Sequence, residues 1–225
     1  TMRSRRRSGL DAVLLSWRGH FQQTATLDLG EKCFRLSPGP LAQLDIVVMV
    51  HEDNHLVDPE LKQRFRVQTA SVKLANPRAL PFGAHMLLAA GVPKYDWLVY
   101  SEDDLLLHDP YFFAKLTAFQ EQFGASRVLQ PHRYEMNARD GWCKTYIDGN
   151  LRDATVERLF SHVDDPQATL NMAFAGSEVT FERSRNPHSG FFALTSKQFA
   201  HWKAQKHFMD ADMSFVTPLE SAATL

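Results

Sequence analysis

Two short apolar runs limit the architectures open to this chain. LDIVVMV, Leu44 to Val50, and WLVYS, beginning at Trp97, are apolar but for Asp45 and the closing serine, rich in β-branched and aromatic residues, and too short to be helices. Continuous rather than alternating hydrophobicity marks strands buried on both faces of a parallel sheet, with crossover helices covering each side. Helical patterns fall where such crossovers belong. Leu10, Leu14, Trp17 and Phe21 repeat at i, i+4, i+7 and i+11, one stripe of an amphipathic helix. Ala79 to Ala90 reads as a second helix, stopped by Gly91 and Pro93. After WLVYS, Asp109 is placed as an N-cap with Pro110 at the first helical position. Phe112, Leu116, Phe119 and Phe123 then share one face up to Gly124. ASRVLQPHRY reads as the next strand. The alternation predicts an α/β fold, a Rossmann-like sandwich with a mostly parallel central sheet flanked by helices.

A chain of 225 residues fits one domain over 1–225, able to bury roughly 70% of the surface its unfolded form exposes. The first helix starts almost at Thr1 with no strand before it, so a missing first strand is expected, and further residues are expected after Leu225. A net charge of -1 supplies no field for nucleic acid or an anionic membrane, so no nucleic acid partner is expected. No apolar run reaches the roughly 20 residues of a transmembrane segment, and the arginine-rich start has no signal-peptide core behind it. A cytoplasmic protein, at most peripheral at the inner membrane, is the expectation. Cys33 and Cys143 make neither a CxxC nor a zinc knuckle, and two reduced thiols are expected.

WLVYS ends in three acids, Glu102, Asp103 and Asp104, before Leu105, Leu106 and Leu107 turn the chain apolar again. In open α/β sheets ligands bind beyond the carboxyl ends of the strands, where these acids lie. On an extended segment Glu102 and Asp104 point to one side and Asp103 to the other. Crowded carboxylates raise one another's pKa, and a divalent cation removes that cost. Oxygen ligands without a nearby thiol suit Mn²⁺ or Mg²⁺. The alternative is a solvated turn in which Ser101 or an Asp caps local backbone.

YDWLVYSEDDLLLHDPYFFAKL resembles the region around the D-x-D-type motif of the GT-A glycosyltransferases, nearest to bacterial members with an EDD triplet. NPRALPFGAHMLL before it, and VLQPHRYE, NPHSGFFALTSKQF and PLESAATL after it, stand in an order that agrees with that family, so the resemblance spans most of the chain. It implies a GT-A-like fold and transfer of a sugar from a nucleoside-diphosphate donor, UDP- or GDP-linked, to a saccharide or glycoconjugate hydroxyl. Asp104 would then coordinate the metal that bridges the diphosphate, with Glu102 or Asp103 contacting ribose or a metal-bound water. Glu220, at the start of a helix begun by Thr217 and Pro218, takes the place of the base in inverting members. Its other reading is a helix-start acid favoured by the macrodipole.

Other candidates follow the ends of apolar runs. Glu52, Asp53 and Asn54, in HEDNH after LDIVVMV, are candidates for the nucleotide, with capping of the next helix by Asp53 or Asn54 as the alternative. Arg3, in the Arg3, Arg5, Arg6 and Arg7 cluster, is a candidate for phosphate, or part of a solvated basic end. His188 is a candidate for metal, diphosphate or acceptor, or a structural histidine. His132 and Tyr134 end the ASRVLQPHRY segment and are candidates for the acceptor. Asp210 and Asp212 form a second D-x-D with no apolar strand before it, and a surface loop is expected there. A nucleotidyltransferase on a similar scaffold and a non-catalytic sugar-binding domain are the rival functions. The first would carry a Gly-rich phosphate loop after an early strand, and the second would bind without a metal.

Overall fold

The computed structural model describes residues 2–22, 24–36, 42–137, 143–160, 167–215 and 217–223. In chain order the elements are α1 (Met2–Phe21), β1 (Ala25–Asp28), β2 (Cys33–Leu36), β3 (Ile46–His51), α2 (Pro59–Phe65), β4 (Val67–Val72) and α3 (Leu80–Gly91). They continue with β5 (Trp97–Ser101), α4 (Phe112–Phe123), β6 (Tyr134–Asn137), β7 (Cys143–Tyr146) and α5 (Asp153–Phe160). The last are β8 (Thr169–Phe174), β9 (Ser177–Glu182), β10 (Phe191–Thr195), α6 (Ser196–Lys203) and α7 (Pro218–Ala222). The fold is mixed α/β. It divides into two compact units, Thr1–Leu87 with Glu102–Lys115, and Leu88–Ser101 with Leu116–Leu225.

In the first unit the stripe read on the first helix is the buried face of α1: Leu10, Leu14, Trp17 and Phe21 are all buried, joined by Val13 and Arg18. Leu10 and Leu14 pack with Val50 of β3, Leu61 and Phe65 of α2, Val57 and Val67. Trp17 and Phe21 meet Phe113, and Trp17 meets Phe112 edge-on at 6.3 Å. Arg18 is buried among these apolar groups because its guanidinium satisfies three carbonyls, of Leu44, Phe65 and Arg66, at 2.8 to 2.9 Å. Those oxygens include the C-terminal end of α2, where a helix leaves carbonyls without partners. Asp58 caps the start of α2, its Oδ1 accepting from the Leu61 N–H at 2.8 Å.

In the second unit β5 and β10 pair antiparallel, with Phe191 opposite Ser101 and Thr195 opposite Trp97. Leu98, Tyr100, Leu116, Phe119, Ala193 and Phe199 are buried in this unit. Thr195 opens α6 with a capping box: its hydroxyl accepts from the Gln198 N–H, and the Gln198 carbonyl accepts from the Thr195 N–H. Gln198 is itself buried, and its amide N–H groups donate to the carbonyls of Ala125 and Arg127 at 3.2 and 2.8 Å. Gln198→Leu keeps the backbone bond to the Thr195 hydroxyl but removes these three side-chain bonds and leaves the half-buried carbonyls of Ala125 and Arg127 without that partner, which costs about 2 kcal/mol. The expected result is a melting temperature lower by roughly 5 °C in a thermal scan; an unchanged midpoint would refute this account of the residue.

The strands depart from the expected sheet. Among the described residues they form five two-stranded sheets, and only β3 with β4 is parallel. LDIVVMV is a strand, but only Val50 in it is fully buried and Ile46 to Met49 are half-buried. A continuous apolar run cannot distinguish a strand covered on both faces from one covered mainly on one. ASRVLQPHRY is irregular until β6 begins at Tyr134. Pro131 has no N–H for a ladder, and Gln198 takes the carbonyls of Ala125 and Arg127 that a neighbouring strand would have used. The α4 helix starts at Phe112 rather than Pro110, although Asp109 accepts from the Tyr111 N–H at 2.9 Å as a cap does. It ends as read, at Gly124, whose φ of +77° suits glycine. Cys33 is a free, exposed thiol, and the Cys143 side chain lies outside the described residues.

Candidate functional site

Both units carry candidate polar residues. In the first unit the acids directly follow β5, but they are not extended. Asp103 and Asp104 occupy a turn, so the expected alternation of side chains does not hold. The turn brings neighbouring carboxylates together. Asp103 and Asp104 are exposed and Glu102 is half-buried. Even so, the protein around Asp103 displaces enough water that desolvation, reinforced by the Asp104 charge, holds its pKa above the ordinary aspartate value. Arg6 of α1 opposes this from within the same unit. Leu107 is fastened to α1, its N–H donating to Ser16 Oγ and its carbonyl bonded to His20 Nε2, both at 3.0 Å. Leu106 stays exposed, so the chain turns inward only at its neighbours.

HEDNH closes the end of β3 in a tight turn. Glu52 adopts a left-handed φ of 49°, and its carboxylate pairs with Lys73 at 3.3 Å on the surface. The Asn54 N–H donates to the His51 carbonyl at 3.2 Å, and Asp53 is exposed. Neither Asp53 nor Asn54 caps the next helix; Asp58 does, because the chain runs four more residues before it turns helical. Arg3 donates to the His55 carbonyl at 3.3 Å, and Arg7 to Asp11, Asp58 and the Leu56 carbonyl. Arg3 and Arg7 therefore brace the segment that follows HEDNH. Arg6, read in the sequence only as one member of the basic cluster, is the one that enters the field of Asp103.

In the second unit Glu220 stands in the first turn of α7, three residues after the N-cap Thr217. Thr217-Pro218-Leu219-Glu220 has capping-box spacing, but only the return half of the box forms. The Glu220 carboxylate accepts from the Thr217 hydroxyl and backbone. Desolvation works to raise its pKa, but these bonds, its own N–H and the nearby His188 together hold it below the ordinary glutamate value. His188 is buried, its ring 6.2 Å from that of Phe215, whose N–H donates to Ser221 Oγ. Burial, then the positive charge of Arg133, depress the imidazole below its usual value, against Asp148, Glu220 and a bond to the Glu220 backbone. Glu220 is thus ionised and His188 neutral at neutral pH. His132 and Tyr134 instead join Tyr146 in a ring cluster on β6 and β7. Asp210 and Asp212 form a surface loop as expected, each accepting a backbone N–H two residues on.

Among the described residues no group of three or more His, Cys, Asp or Glu side chains stands ready to hold a metal ion. The adjacent acids Glu102, Asp103 and Asp104 are of the ligand type taken by a hard cation of the kind bound through one or two carboxylates and completed by substrate phosphates. No helix among the described residues is long and apolar enough to cross a membrane. No protein-family model matches the chain, and no curated protein or solved structure matches it.

Proposed function

We propose that the chain is a metal-dependent glycosyltransferase of GT-A-like type, moving a sugar from a nucleoside diphosphate to an acceptor hydroxyl. The observation that carries the reading is the Asp103 carboxyl, held above its ordinary pKa beside Asp104 at the end of an apolar strand. Desolvation and carboxylate crowding of this kind concentrate at functional sites. Asp103 and Asp104 would hold Mn²⁺ or Mg²⁺, which supplies Lewis acidity to the departing diphosphate. Glu220, already ionised, would take the proton of the acceptor hydroxyl as that oxygen bonds to the anomeric carbon and the bond to diphosphate breaks. Glu52, Asp53, Asn54 and Arg3 are the donor candidates, and His188 orients Glu220 through its backbone.

The half-formed capping box at Glu220 favours a second reading, a sugar-binding domain without catalysis, in which that acid serves only the helix. Hydrolysis separates the two. A panel of UDP- and GDP-sugars incubated with the protein and Mn²⁺ is expected to release UDP or GDP from at least one donor, and EDTA is expected to stop it. Release from none, with sugar binding intact, would leave the binding domain.

A further inference from the structure

A ribbon of aromatic side chains in the second unit extends beyond the two acceptor candidates. β6 and β7 pair so that Tyr134 lies opposite Tyr146 and Met136 opposite Lys144. Opposite residues, and residues two apart, share a face, so all four side chains stand on one side of the hairpin and Glu135 on the other. The Tyr134 and Tyr146 rings are 6.3 Å apart at 70°, and His132 meets Tyr146 edge-on at 5.6 Å. Lys144 Nζ lies 4.4 Å from the centre of the Tyr134 ring. Tyr146 nevertheless remains 61% exposed and Met136 50%.

The ribbon is braced at its base. Arg133 and Asp148 form a two-pronged ion pair at 2.9 and 2.6 Å with little exposure, and the Ile147 N–H reaches the Arg133 carbonyl at 3.4 Å. Rings held this way offer contact area at low entropic cost. Their chemistry selects a ligand. The exposed ring of Tyr146, edged by phenol and imidazole polar atoms, matches a pyranose, whose C–H face stacks while its hydroxyls hydrogen-bond at the rim. A protein partner would call for a patch depleted of charge at its centre. Here Lys144 stands on the ring face while the acidic Glu135 is turned away, so the complementary ligand is an anion.

We infer that His132, Tyr134, Lys144 and Tyr146 form a binding surface for a saccharide bearing a carboxylate, stacked on Tyr146 with its acid group at Lys144. Its role as an acceptor subsite rests on the glycosyltransferase reading; saccharide binding itself does not.

The test is saturation-transfer NMR on the wild type with methyl β-glucuronide and methyl β-glucoside, without nucleotide or metal. These sugars differ only in carboxylate against hydroxymethyl. Transfer to the glucuronide ring protons is expected, stronger than to the glucoside by roughly two- to fivefold, as an exposed ion pair allows. Tyr146→Ala should abolish it at unchanged melting temperature, and Lys144→Gln should make the two sugars equal. Transfer to neither sugar, equal transfer to both in the wild type, or transfer that survives Tyr146→Ala would overturn the inference. Donor hydrolysis with Mn²⁺ involves none of these four residues, so the transferase reading and this surface fail separately.

Discussion

Glu220→Gln is expected to lower sugar transfer by roughly 10²–10⁴-fold, about 3 to 5 kcal/mol, while donor affinity changes little. Glutamine keeps the length of the side chain, and its carbonyl can still accept from the Thr217 hydroxyl and backbone, so the return half of the capping box survives. What it loses is the ability to take a proton at neutral pH. Removing the cap contact altogether would cost only about 1 kcal/mol of stability. Catalytic and structural roles therefore differ in size and in the quantity that moves. Initial rates of transfer, donor affinity by calorimetry and a thermal scan on both proteins read all three. A variant within about threefold of wild type, under 1 kcal/mol, would return Glu220 to the helix and direct the search for a base to His188 or Asp212. The pH dependence of stability is a second check. Glu220 has a folded pKa below its unfolded value, so its contribution is present above the ordinary glutamate range and fades as pH falls through the lowered value. The glutamine variant should lack that acid-side loss.

Mn²⁺ at about 100 times its dissociation constant is expected to stabilise the wild type by about 2.7 kcal/mol, a rise in melting temperature of roughly 5 to 10 °C. EDTA should abolish the rise, and Asp104→Ala should show none. The same variant should lose affinity for UDP or GDP measured calorimetrically in Mn²⁺. Asp103→Asn separates the cost of the site from its use. Asp103 has a folded pKa above its unfolded value, so its favourable contribution is complete in acid and is lost as pH rises through the raised value. At neutral pH without metal its charge is therefore a liability, and the asparagine variant should melt higher than the wild type. In Mn²⁺ the order should reverse. Equal nucleotide affinity with and without EDTA, in wild type and Asp104→Ala alike, would remove the metal site from consideration.

Local pattern was legible wherever one stretch of chain decides its own structure. The i, i+4, i+7, i+11 stripe of α1, the strand WLVYS, the glycine after α4 and the Thr-Pro start of α7 all stand where their residues placed them. Helix periodicity, φ > 0 at glycine and the missing donor of proline act over a few residues, so they can be read without a partner. The acid triplet and Glu220 were legible for the same reason, each at the boundary of an element whose type was plain.

Pairing and charge environment were decided only by tertiary structure. An apolar run carries no record of which strand will lie beside it, and WLVYS took the antiparallel β10 rather than a parallel neighbour. Nothing in ASRVLQPHRY announces that Gln198, some seventy residues away in the chain, would occupy its carbonyls. Arg6 entered the field of Asp103, His188 bonded to the backbone of Glu220, and Tyr146 joined His132 and Tyr134 through contacts between distant parts of the sequence. Residue types could nominate carboxylates, an imidazole and rings as chemistry-bearing groups by themselves. Their proton affinities and their companions depend on desolvation and on Coulomb interactions over a few ångströms, and those distances exist only once the chain has folded.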